Sequence, residues 1–226
     1  MAKNVAIGIQ DFGDLIQKDC FYIDKTNFIR EWWDNKDSVT LIARPPRFGK
    51  TLNMSMTEQF FSLKYADKRD IFEGLSIWKS EEYRNLQGTY PVISLSFANV
   101  KETDFPSASY RIRQLLMKQY EQHRFLLESS LLSDSEKDYF HHMASAMENL
   151  DVPLALYQLS DYLSRYYEKK VIILLDEYDT PMQEAYVSGY WDELLSFIRT
   201  FFNSTFKTNP WLERALLTGI TRVSKE

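Results

Sequence analysis

Apolar positions along the chain alternate between short continuous runs and longer stretches at helical spacing. Val171-Ile172-Ile173-Leu174-Leu175 is apolar at every position, the pattern of a strand covered on both faces, as in a parallel sheet. Compact runs at 38–43, 90–97 and 212–218 also read as strands. Between them, Leu52, Met56, Phe60 and Leu63 recur at a helical period and predict a helix over 50–63. Similar spacing predicts helices over 107–127, 134–149, 153–168 and 190–206. Residues 5–22, broken by Gly and Asp, read as small strands or turns. Asp24-Lys25-Thr26 opens a helix through Phe28, Ile29 and Trp32, with Asp24 placed as its N-cap. Residues 64–88 read as a short helix and a loop, and 180–191 as a long loop or connection. Strands separated by helices specify an α/β sandwich, a mostly parallel sheet with helices on both faces.

The chemistry sits where these elements meet. Phe48-Gly49-Lys50-Thr51 follows a predicted strand and opens a predicted helix. A helix N-terminus has free N–H groups and a partial positive charge, which together bind phosphate. Gly49 lets the backbone approach an oxyanion, Lys50 reaches the β- and γ-phosphates, and the Thr51 hydroxyl ligates Mg²⁺. The full pattern G-x-x-x-x-G-K-[ST] would have Gly at position 44, where this chain has Arg44. Pro45 and Pro46 donate no N–H. The remaining donors run from Arg47 through Phe48, Gly49, Lys50 and Thr51 toward Leu52, and Arg44 and Arg47 offer side-chain charge. The plainer alternative is a Lys beside a Gly at an ordinary helix start.

The strand over 171–175 leads straight into Asp176-Glu177. Asp176 at a strand's carboxyl edge is placed as a Mg²⁺ ligand, and Glu177 as the group that orients or deprotonates water. Two acids ending a strand are also common without any such role. Asp179 is a weaker metal candidate. Thr218, at the end of the last strand, is placed near the γ-phosphate or the water, and Arg222 as a charge sensor or a finger toward a neighbouring nucleotide. Lys25 is left open.

Composition narrows the class. The chain has 226 residues, 26% of them charged, with formal net charge −5. There is no global basic field to draw it onto nucleic acid or an anionic bilayer. One Cys, Cys20, permits no intrachain disulfide and no Cys-built metal site. No run of 18 apolar residues is present, so no membrane partner is expected, and the lone Cys favours a cytoplasmic setting.

Taken in order, Ile7-Gly8-Ile9-Gln10-Asp11-Phe12, Tyr22-Ile23-Asp24-Lys25-Thr26, Arg44-Pro45-Pro46-Arg47-Phe48-Gly49-Lys50-Thr51, Leu175-Asp176-Glu177-Tyr178-Asp179-Thr180-Pro181 and Thr218-Gly219-Ile220-Thr221-Arg222-Val223 resemble the motifs of the predicted AAA-ATPase-like family. The resemblance makes the missing first Gly a family trait. It implies a P-loop NTPase three-layer sandwich of the additional-strand, AAA-like class, with ATP and Mg²⁺ as cofactors. It carries Lys50 and Thr51 to phosphate and Mg²⁺, Asp176 to Mg²⁺, Glu177 to water and 218–222 to sensing. Residues 1–37 are expected as an N-terminal extension packed on an ATPase core of 38–226, with the chain stopping before a helical lid and a nuclease-like domain. Nucleotide is the expected partner, with homo-oligomer formation or the missing nuclease-like domain as further possibilities, and no direct nucleic-acid binding. The expected function is Mg²⁺-dependent ATP hydrolysis. A nucleotide-binding interaction module without turnover and a small-molecule kinase are the alternatives.

Overall fold

The computed structural model describes residues 4–5 and 8–221. Its frame is a sheet of four strands, β1 (Val39–Ala43), β2 (Val92–Ser96), β3 (Val171–Asp176) and β4 (Leu212–Gly219). They lie in the order β1-β4-β3-β2, and every pairing is parallel. The last strand in sequence is therefore inserted between the first and third, which makes this an additional-strand sandwich.

Parallel strands cannot be joined by tight turns, so each connection crosses a face of the sheet and covers it. One face carries α1 (Phe12–Gln17), α2 (Asn27–Asp34), α3 (Lys50–Phe61) and α4 (Glu81–Leu86), with three short 3₁₀ turns between α3 and α4. The other carries α5 (Phe105–Gln122), α6 (Asp134–Ser145), α7 (Val152–Tyr167), α8 (Thr180–Ser188) and α9 (Trp191–Phe202). β3 is buried at all six positions: Ile172 and Leu174 join the first layer's core, Ile173 and Leu175 the second's. That two-sided burial is why the run has no polar alternation.

The segment before β1 is stitched to both the sheet and α3. Arg214 on β4 is buried and donates to the carbonyls of Trp32 and Trp33 near the end of α2, with its guanidinium 4.2 Å from the Trp33 ring centroid. A cation is favourable at a helix C-terminus, where carbonyls lack intrahelical donors. On α3, Ser55 accepts from the Phe12 N–H at 3.0 Å, and Gln59 donates to Asp11 at 2.8 Å.

Four local expectations change. Residues 12–17 are helical because Asp11 caps them, accepting from the Asp14 N–H at 2.8 Å. The second helix begins at Asn27, with Thr26 as its N-cap, and the exposed Asp24 instead accepts from the Thr26 N–H. The predicted helix over 190–206 is α9 followed by a single π turn, Asn203–Lys207. The segment after Asp179 is no loop: Pro181 sits in the first turn of α8, where its missing N–H costs nothing, and Gly189 ends the helix.

Two outcomes follow from the packing. Ile173→Ala, in the centre of the sheet, lowers unfolding free energy by about 2–5 kcal/mol, read from the midpoint shift in denaturant. Asp24 is opposed by burial, but hydrogen bonds from Thr26 and Ser76 outweigh that, and its pKa lies below the ordinary aspartate value. Its stabilising contribution is therefore complete above the unfolded-state pKa and fades as pH falls below about 4. Asp24→Asn flattens that acid limb in a stability–pH series, and an unchanged limb contradicts the assignment.

Candidate functional site

The carboxyl ends of β1, β4 and β3 lie side by side at one edge of the sheet. Ile42 pairs with Thr218 and Ala43 with Gly219, while Leu175 pairs with Leu217. Neighbouring strands are about 4.8 Å apart, so the chain leaving β1 and the chain leaving β3 are separated by about 10 Å.

From β1 the chain enters a tight loop. Arg47 and Gly49 have φ of 68° and 75°, and Gly49 is the N-cap of α3 without a side-chain cap bond. The left-handed turn at Gly49 suits a residue without Cβ, and it leaves the first N–H groups of α3 without intrahelical acceptors. The Lys50 side chain folds back over the loop and donates to the carbonyls of Arg44 at 2.8 Å and Pro45 at 3.1 Å. Pro45 thus contributes an acceptor where it lacks a donor. Arg44 and Arg47 are exposed, Thr51 is half-buried, and Leu52 packs its side chain against the apolar layer beneath α3.

Beside this loop is a cavity of about 290 Å³, lined by Phe28, Arg44, Phe48, Lys50, Asn53 and Thr218 among others. A larger cavity of about 620 Å³, against α5 and residues 145–148, is lined by none of the strand-end residues. Phe48 lines the smaller cavity while remaining 61% exposed.

Thr218 links this cavity to the end of β3. Its hydroxyl donates to Asp176 Oδ1 and accepts from the Glu177 N–H at 3.3 Å, while its carbonyl accepts from the Tyr178 N–H at 2.9 Å. Asp176 is buried. Glu177 has φ of 51°, a conformation costly for a residue with a Cβ and found disproportionately at functional sites. Its Oε2 accepts from the Thr180 hydroxyl at 3.3 Å.

Asp179 is turned the other way. It is 1% exposed, and its Oδ2 accepts from the N–H groups of Ile220 and Thr221, the Thr221 hydroxyl and Gln183 Nε2, all within 3.0 Å. It ties the segment after β3 to the turn after β4. That role was hidden in the sequence, because it depends on contact across 41 residues. Arg222 lies outside the described residues.

The sequence candidates from Arg44 to Leu52 thus share one loop and helix start, and Asp176, Glu177 and Thr218 share one hydrogen-bonded corner. Lys50 and Thr218 meet at the cavity. Phe28 and Asn53 join that wall unannounced, Phe28 having read only as an apolar position of its helix.

A profile of the family described as predicted AAA-ATPase matches residues 6–226. The chain belongs to that family. The chain is also similar to an uncharacterized protein in the vnfD 5′ region of Azotobacter chroococcum mcd 1, at 22% identity over 226 residues. The alignment covers 99% of this chain and 38% of that protein. No solved structure matches it significantly. Among the described residues, no helix is long and apolar enough to cross a membrane.

The geometry of the corner makes one substitution diagnostic. A Cβ on Gly219 would lie 2.5 Å from Asp179 Oδ1 and 2.7 Å from Tyr178 Cε1. Gly219→Ala must push the Asp179 clamp aside and lowers stability by about 1–3 kcal/mol, read as a lower melting temperature. An unchanged melt argues that this contact is slack.

Proposed function

We propose that this chain binds ATP with Mg²⁺ at the loop over 44–51 and hydrolyses the β–γ phosphoanhydride. The observation that carries the proposal is that Lys50 and Thr218 line one cavity and that the Thr218 hydroxyl reaches Asp176. The loop and helix start thus share a cavity wall with Thr218, the residue hydrogen-bonded to the acidic strand end. Lys50 has two neutral carbonyl partners and, among the described residues, no carboxylate partner. A group so placed has charge left to offer an incoming phosphate.

The donors suit the cofactors. Mg²⁺ takes oxygen ligands and keeps several waters and phosphate oxygens in its shell, so a hydroxyl and one carboxylate from the protein are enough. Thr51 and Asp176 are assigned those two positions. When bound, the ion neutralises charge on the phosphate chain. The loop's N–H groups from Arg47 through Leu52 and the Lys50 ammonium hold the phosphates in place, and Arg44 and Arg47 add positive charge. Glu177 Oε accepts a proton from the attacking water, and its backbone is fixed by the bond from its own N–H to Thr218. Thr218 relays the position of the Asp176 carboxylate to the cavity. Arg222 is assigned to charge sensing. Most of the rate enhancement on this reading comes from positioning and charge stabilisation. Coupling of the reaction to a conformational change or a partner belongs to the same proposal, as does the division at residue 37 between an extension and the ATPase core.

Binding should stabilise the folded chain by mass action. At about 100 times Kd the gain is about 2.7 kcal/mol, a rise of roughly 5–10 °C for a chain of this size. Mg²⁺–ATP is expected to raise the melting temperature of the parent protein and of Glu177→Gln, but not of Lys50→Ala. Phosphate release in Glu177→Gln is expected to fall by roughly 10²–10⁴. Equal ATP affinity in Lys50→Ala and the parent would overturn the proposal.

A further inference from the structure

The reading above uses no residue of the Tyr22–Thr26 motif, yet the fold brings that motif to the same loop. Its backbone is fixed from several sides. Asp24 Oδ1 accepts from the Thr26 N–H at 2.9 Å and the Thr26 hydroxyl at 2.7 Å, and Oδ2 accepts from the Ser76 N–H at 2.7 Å. Thr26 is fully buried and accepts in turn from the Ile77 N–H at 3.1 Å. Tyr22 Oη donates to Met56 Sδ on α3 and accepts from the Lys25 N–H at 3.1 Å. Lys25 is therefore held against the helix that the loop opens.

From that anchor its side chain reaches the loop. Lys25 Nζ lies 3.7 Å from where a Cβ on Gly49 would stand. Phe28, one turn further on, lines the cavity together with Lys50. Among the described residues, Lys25, Arg44, Arg47 and Lys50 make no ion pair with a carboxylate. Four cations around one loop repel one another, in a chain whose formal net charge is −5. A polyanion could pair with several of them at once.

We propose that Lys25 is a second phosphate-contacting lysine, donating from its ammonium to the phosphate chain of the nucleotide at the loop over 44–51. The inference rests on the nucleotide reading above and adds a ligand group contributed from before β1. The Asp24–Thr26–Ser76 clamp is the device that positions it.

The test is a titration of the whole chain with ATP and, separately, with inorganic tripolyphosphate, which has the charge without base or ribose. Lys25 is exposed, so Lys25→Met and Lys25→Arg are expected to melt unliganded at the parent temperature. Losing one charge-assisted hydrogen bond weakens both ligands in Lys25→Met by roughly tenfold to a hundredfold, while Lys25→Arg stays close to the parent. Unchanged affinities in Lys25→Met, with Lys50→Ala losing binding, overturn the role of Lys25 and leave the nucleotide reading standing. Weakened ATP with unchanged tripolyphosphate also overturns it, placing the contact at the base or sugar. A parent protein that binds neither ligand removes both readings.

Discussion

The hydroxyl of Thr218 donates to the Asp176 carboxylate and accepts from the Glu177 amide, and the geometry of the sheet's carboxyl edge depends on this short relay. It works because β4 is inserted between β1 and β3. Adjacent β1 and β3 would put the loop and the acidic pair about 4.8 Å apart, too close for a ligand between them. One intervening strand opens that gap, and its own last side chain fills the floor of it. The burial of β3 and β4 on both faces makes the spacing rigid, since neither strand can slip in register without exposing an apolar face.

The same edge is tied down from outside the sheet. Asp179 gathers the turn after β4, and Gly219 allows the close approach that this needs. Arg214, at the other end of β4, holds the last turn of α2. One strand thus anchors the acidic corner at one end and the N-terminal helices at the other. Any shift in β4 would be felt both at Asp176 and at the segment that carries Lys25.

Much of this was legible in the sequence where a local pattern has a local cause. The β3 run announces two-sided burial, and Gly49-Lys50-Thr51 after a strand announces a helix start with free N–H groups. The α/β class followed from such signals, and the family from the resemblance of its motifs taken in order. Less was legible where the cause is tertiary. The six residues of α1 are too short for a period to show, and their cap at Asp11 looks like any other Asp in a broken stretch. In α8, Thr180-Pro181 reads as a breaker unless the Pro is known to fall in the first turn. Asp24 had the right chemistry for a cap but spends it on Thr26 and Ser76, 52 residues away in the second case. The nearness of Lys25 to Gly49 has no trace in either segment alone.

Lys50 in this structure has already chosen acceptors, the carbonyls of Arg44 and Pro45. The loop is consequently held in a closed curve by its own side chain, with the two prolines limiting the backbone torsions on one side and α3 fixing the other. On the nucleotide reading proposed above, an arriving phosphate would meet a loop already ordered, and only the ammonium would have to exchange partners. In that arrangement Arg44 in place of glycine and the two prolines after it add stiffness, and only the prolines surrender N–H donors.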